Sequence, residues 1–194
     1  PAAAFQNDND GTNPRVVSPD ECVAEPRAVD QVAGLLGLDG EGIMPPPLPT
    51  ITAPLGQNLD SEQSIPIKEA VRQILACFNA GDIARASALM TDSGVIRTYW
   101  QLTETPEPRA TAQERIGTPV PRPEPAQIRL VTVTDISVLP DGRAIAFVVI
   151  NDPAAPQPGP ETLLFYFLNQ DGKWLLDDWV DFSIAAVPVS TPTP

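Results

Sequence analysis

Apolar residues recur at two different periods along this chain, and the period changes near its middle. Ile67, Val71, Ile74, Leu75 and Phe78 are spaced by three and four, which predicts one stripe of an amphipathic helix. Pro66 suits its first turn, and Gly81 suits a left-handed C-cap. Asp82 suits the N-cap of a second helix over 83–91, with Ile83, Ala86, Leu89 and Met90 turned inward. So short a turn predicts a helical hairpin. From Ile128 onward the period is two. Ile128, Leu130, Thr132, Thr134, Ile136 and Val138 are expected on one strand face. Leu139–Arg143 reads as a hairpin turn into the nearly all-apolar strand Ala144–Asn151. Thr162–Asn169 and Trp174–Phe182 read as another hairpin about Asp171-Gly172. Ile96–Leu102 is β-branched and aromatic and reads as a strand or as the end of a helix. Val29, Val32, Leu35 and Leu36 predict a short helix opened by Pro26 and capped by Gly37, and a helical turn is expected near Ala110–Ile116.

Prolines separate these elements. There are 24, most of them in clusters at 45–54, 106–108, 119–125, 153–160 and 188–194. A proline ring fixes φ and removes a donor, so the clusters mark where regular structure stops. The order of elements predicts an α+β fold, a helical hairpin packed on an antiparallel sheet of three or four strands. Three regions follow. Residues 1–63 form an N-terminal arm with a short helix and a Pro-rich linker, residues 64–187 form the folded domain, and residues 188–194 form a Thr/Pro-rich tail. Residues 1–20 are polar, with turn residues and no apolar period.

Composition narrows the functions. The net charge is −13, from 12 Lys plus Arg against 25 Asp plus Glu. That balance argues against nucleic acid and anionic membrane surfaces, both of which need a basic patch. No apolar run reaches the roughly 18 residues of a membrane span. Pro1-Ala2-Ala3-Ala4 reads as a mature N-terminus. Histidine is absent, which removes the commonest general base and metal ligand. Asp8, Asp10, Asp20 and Glu21 suggest calcium, but Asp8-Asn9-Asp10-Gly11 lacks the closing glutamate of a full loop and reads as a solvated acidic segment. No cofactor motif is present. Cys22 and Cys77 are either two separate buried thiols or one bridge, and a bridge would close a loop of about 55 residues worth roughly 4 kcal/mol.

Asn79-Ala80-Gly81-Asp82, between two amphipathic helices, resembles the helical hairpin of the nuclear transport factor 2-like (SnoaL-like) superfamily. Asp171-Gly172-Lys173-Trp174-Leu175-Leu176-Asp177-Asp178-Trp179 resembles its closing hairpin. The likeness covers about residues 64–187. It is nearest to secreted or cell-surface bacterial members of unknown function. In these a segment like Glu21-Cys22-Val23-Ala24-Glu25-Pro26-Arg27 precedes a Pro-rich linker and a helix end like Ala76-Cys77-Phe78-Asn79. The resemblance implies a curved sheet wrapped round helices as a cone, a Cys22–Cys77 disulfide and an oxidising, extracellular compartment. Such cones host enzymes, binders and inert scaffolds alike, so the resemblance implies no single activity.

Candidate chemistry is sparse. Alternation puts Trp174, Leu176, Asp178, Val180 and Phe182 on one face, with Asp177, Trp179 and Asp181 opposite. Asp178 among apolar neighbours would be a general base, as in isomerases of the superfamily, unless it answers a nearby arginine. Tyr99 or Tyr166 would then stabilise an oxyanion, or sit as a core aromatic with its hydroxyl outward. Trp100, Phe165, Phe167, Trp174 and Trp179 would line a pocket, or form ordinary core. The Thr/Pro tail suits O-glycans, and no sequon for N-glycosylation occurs. The expectation is an extracellular, non-enzymatic structural or interaction module whose partners are copies of itself or another extracellular protein. An arm adding a strand to a neighbour's sheet edge would join copies head to tail, as a filament if the contact does not close. The alternatives are a linker lying on its own domain, and a small-molecule binder or lyase/isomerase with Asp178 as base.

Overall fold

The computed structural model describes residues 14–38, 43, 47, 55–103, 108–155 and 159–182. Asp8, Asp10 and the 188–194 tail lie outside these residues. Among the described residues the architecture is α+β, with five α-helices and a six-stranded antiparallel sheet. In chain order the elements are β1 (Arg15–Val16), α1 (Val29–Leu35), β2 (Gln57–Asn58), α2 (Ile65–Ala80), α3 (Ile83–Ala88), α4 (Asp92–Tyr99), α5 (Arg109–Gly117), β3 (Arg129–Val138), β4 (Ala144–Asn151), β5 (Pro160–Gln170) and β6 (Lys173–Asp181). β3 to β6 lie side by side in sequence order, and the two-residue strands β1 and β2 both pair with the outer edge of β3. The main core fills the space between helices and sheet. It joins Ile67, Val71, Ile74 and Leu75 of α2 to Ala146, Val148, Phe165, Phe167 and Leu176. A second, smaller cluster of Leu139, Ile145, Leu164, Tyr166 and Val180 lies on the opposite sheet face.

The helical hairpin has the caps expected of it. Gly81 stands at φ 61° and closes α2, and Asp82 accepts a hydrogen bond from the Arg85 amide at 2.9 Å to open α3. α1 begins at Val29 rather than at Pro26. Ala28, at φ −58° and ψ 134°, is not helical, and the Arg27 amide before it donates to the Ala84 carbonyl at 3.0 Å. Ile96–Leu102 finishes a helix: α4 runs to Tyr99 and a 3₁₀ turn covers Trp100–Thr103.

β3 departs from simple alternation. Its register slips between Leu130 and Thr132 and again between Thr134 and Ser137, where Asp135 takes φ 50°. These two bulges re-aim the strand, so Leu130, Val133, Ile136 and Val138 reach the main core while Thr132 and Thr134 do not. The expected face of six alternate residues is therefore broken twice.

The far edge of the sheet is closed by the segment between α3 and α4. Leu176 donates to Leu89 O and accepts from the Thr91 amide, both at 3.0 Å. This brings α4 so near β6 that a Cβ on Gly94 would stand 2.1 Å from the Leu176 carbonyl oxygen. Both sides of that contact are backbone, so relief requires α4 to shift. Gly94→Ala is expected to destabilise the fold by about 1–3 kcal/mol, read as a lower urea midpoint at unchanged m.

Candidate functional site

The residues richest in chemistry converge at the C-terminal end of α2. Helix ends leave carbonyls without partners, and here the Pro-rich stretch after α5 supplies the donors. The Val120 amide donates to Gly81 O at 3.3 Å and the Arg122 amide to Asn79 O at 2.9 Å. Asn79 itself is fully buried at 0% exposure. Its amide nitrogen donates to Val17 O at 2.8 Å and Ile128 O at 3.0 Å, and its Oδ1 accepts from the Ile128 amide at 2.8 Å. One side chain thus joins α2, the start of β3 and the N-terminal segment. Val71, Leu75 and Asn79 follow at four-residue intervals, so a polar residue on an apolar stripe was the signal for this node.

The N-terminal segment is fastened along α2 and at the start of α4. Cys22 and Cys77 form a disulfide, with Cα atoms 4.7 Å apart. Arg72 pairs with Glu21. Arg27 donates to Met90 O at 2.8 Å and to Asp92 Oδ1 at 2.6 Å. Val17, Cys22, Val32, Ala33 and Leu36 are buried members of the main core. Residues 15–38 therefore lie against their own chain as part of its interior.

The carboxylate singled out by sequence stands elsewhere. The register of β5 against β6 slips between Tyr166 and Phe167 and leaves Asp177 as the extra residue. The slip exchanges the faces of β6. Leu176 stands opposite Phe167 of the main core, whereas Asp178 stands opposite Tyr166 and Val180 opposite Leu164 on the other face. Trp174, Leu176, Asp178, Val180 and Phe182 do not share a face, because a bulge reverses the alternation. Asp178 Oδ1 accepts from Arg97 Nε at 2.7 Å and from the Trp179 amide at 2.8 Å. Arg97, only 11% exposed, also donates to the carbonyl of Pro47. Beside this pair the Arg143 guanidinium lies 5.4 Å from the centre of the Tyr166 ring. Asp177 accepts from Thr91 Oγ1 at 2.7 Å, which ties the bulge to the N-cap of α4.

The other candidates are dispersed. Tyr99 packs against the main core, and burial, with a smaller push from Asp82, holds its phenol well above the usual range. Burial raises the Tyr166 phenol too, with Arg143 opposing and Asp178 assisting. Of the three catalytic candidates, Asp178 and Tyr166 stand opposite each other on neighbouring strands, and Tyr99 does not join them. Phe165 and Phe167 are buried with ring centroids 6.1 Å apart, Trp174 and Trp179 pack against the same core, and Trp100 opens the 3₁₀ turn. No group of three His, Cys, Asp or Glu among the described residues is placed to hold a metal. No helix among them is long and apolar enough to cross a membrane.

Where β5 begins, Glu161 faces burial first, then the charges of Asp181 and Asp152, and its carboxyl pKa is raised. A carboxyl raised on folding favours the fold fully below its unfolded value of 4.5 and loses that contribution as pH rises through the folded value. Glu161→Gln is therefore expected to melt higher than the parent at pH 7 and alike below about pH 4, as thermal melts at the two pH values would show. No known family model matches the chain, nor does any curated protein or solved structure.

Proposed function

We propose that the protein is an extracellular, non-enzymatic interaction module of nuclear transport factor 2-like shape, which self-associates with its N-terminal arm as the joining element. One observation carries this reading: the most chemically capable side chains are engaged in fastening segments together. Asn79, Cys22, Cys77, Arg27 and Arg72 hold the arm, and the Asp178 carboxylate is bound by Arg97 and a backbone amide. A general base needs a lone pair free toward substrate, and this arrangement favours a structural role for Asp178. The disulfide fits an oxidising compartment, and the charge of −13 suits a surface that contacts neither nucleic acid nor anionic lipid.

Sedimentation velocity and electron microscopy of the full chain test the reading. Assemblies should grow with protein concentration and with salt, because salt screens the repulsion between acidic copies. A monomer at every concentration up to about 1 mM, the effective concentration of a short tether, would overturn it.

A further inference from the structure

We propose that the Pro-rich stretch 118–123 is a docking ridge. It fits a groove on a partner protein that is lined by aromatic rings, carries N–H or O–H donors and has a basic rim. The inference goes beyond association through the arm and does not depend on it. The sequence there is Thr118-Pro119-Val120-Pro121-Arg122-Pro123, with a proline at every second position. Proline fixes its own φ and keeps the residue before it out of the helical region, so this pattern holds the chain extended. Thr118 stands at φ −113°, ψ 103° and Pro123 at φ −60°, ψ 147°. The extended run ends at Glu124, where a 3₁₀ turn begins.

The two edges of this ridge differ. In an extended chain the N–H and C=O of one residue point to one side, and those of the next residue point to the other. The Val120 amide donates to Gly81 O and the Arg122 amide to Asn79 O, so these alternate donors face α2. The Val120 carbonyl faces the same way, since a Cβ on Gly81 would stand 1.9 Å from its oxygen. Pro119, Pro121 and Pro123 therefore take the outward positions, where a ring replaces each N–H. That edge offers carbonyl acceptors and no donor. A second strand needs both, so strand pairing does not read it. Aromatic faces pack on proline rings, and indole or phenol groups donate to the carbonyls between them. Pro119, Val120, Pro121 and Pro123 are all exposed, Val120 at 70%. Their backbone is already fastened to α2, so binding orders little more. Charge selects the rim of the groove. Arg122 is turned back onto Asp152 Oδ1 at 2.8 Å and Ala126 O at 3.3 Å, while Glu124 is exposed at the end of the ridge on a chain of net charge −13. A basic rim complements that surface.

The test uses the full-length chain and N-acetyltryptophanamide, a small probe with one aromatic face and an indole N–H. Carbon–proton NMR spectra are followed as the probe rises through millimolar concentrations. Docking on the ridge predicts saturable upfield ring-current shifts of the Pro119, Val120 and Pro121 side chains, larger than those of the exposed Val23. The 1-methylindole analogue, which lacks the donor, should bind about three- to tenfold more weakly. Pro119→Ala with Pro121→Ala removes two rings and leaves the Val120 and Arg122 amides in place, and should weaken binding at least about fivefold. Val120→Ser touches no proline, and this second variant should weaken binding about twofold or more. Cationic tryptamine should bind more tightly than anionic indole-3-acetate, and the reverse order would overturn the basic rim. Shifts that do not saturate, that are as large at Val23 as on the ridge, or that persist unchanged in both variants would overturn the ridge itself. None of these outcomes bears on the arm, which sedimentation of the full chain tests separately.

Discussion

Asn79→Ala is expected to cost about 3–5 kcal/mol of folding stability, because it strands buried backbone groups at one point. The Val17 carbonyl, the Ile128 amide and the Ile128 carbonyl each lose a partner in a place without solvent. An unpaired buried group costs about 1–3 kcal/mol, more than the hydrogen bond contributes net when made. For a chain of this size the melting temperature should drop by roughly 6–20 °C. Asn79→Asp should be no milder. It keeps the acceptor for Ile128, loses both donors and places a charge in the interior. A thermal melt of either variant within about 2 °C of the parent would show that Asn79 is not the node described.

Removing the disulfide should have an effect of similar size. The Cys22–Cys77 bridge spans 55 residues of sequence, and its loss frees the unfolded chain by about 4 kcal/mol in the loop-entropy model. The double variant Cys22→Ala, Cys77→Ala should therefore unfold at a clearly lower urea concentration. The parent treated with reductant should move to the same midpoint once the buried bridge has been opened. Four other core side chains, Val17, Val32, Ala33 and Leu36, and the Asn79 node still hold the segment, so the native fold should persist without the bridge. Both changes loosen the same junction. Their combined cost should be less than the sum, because once the segment is released the second set of contacts is already lost. Additive costs would mean that the two anchors act on separate units.

Local signals were legible and long-range ones were not. The caps of the helical hairpin, Gly81 and Asp82, depend on residues within one turn, and the structure holds both as expected. The two-residue turn Asp171-Gly172 is equally local, with φ of 52° and 82°. Strand faces were misread wherever a bulge intervened, at Asp135 in β3 and at Asp177 in β6, since one extra residue reverses every later side chain. The reversal at Asp177 decided the fate of the best catalytic candidate. Alternation sets Asp178 among apolar neighbours, with an arginine partner as the alternative, and the fold turns it to the other face and pairs it with Arg97, 81 residues away in sequence. Nothing near either residue announces that pair. Asn79 differs: it stands four residues after Leu75, a local signal, but the stripe read from the sequence ends at Phe78, and its role and partners needed the structure.

The disulfide also determines how the chain would carry a pull on its two ends. Tension entering at Arg15 passes through Cys22 directly to Cys77, and the residues between them bear no load. Some 180 Å of extended chain, 55 residues at about 3.3 Å each, is kept out of the force path while the bridge is closed. That shielded length contains α1 and most of α2, so these elements can stay folded while the sheet beyond them is stretched. Reduction would add the hidden length all at once, which makes the bridge a setting for how far the molecule can extend.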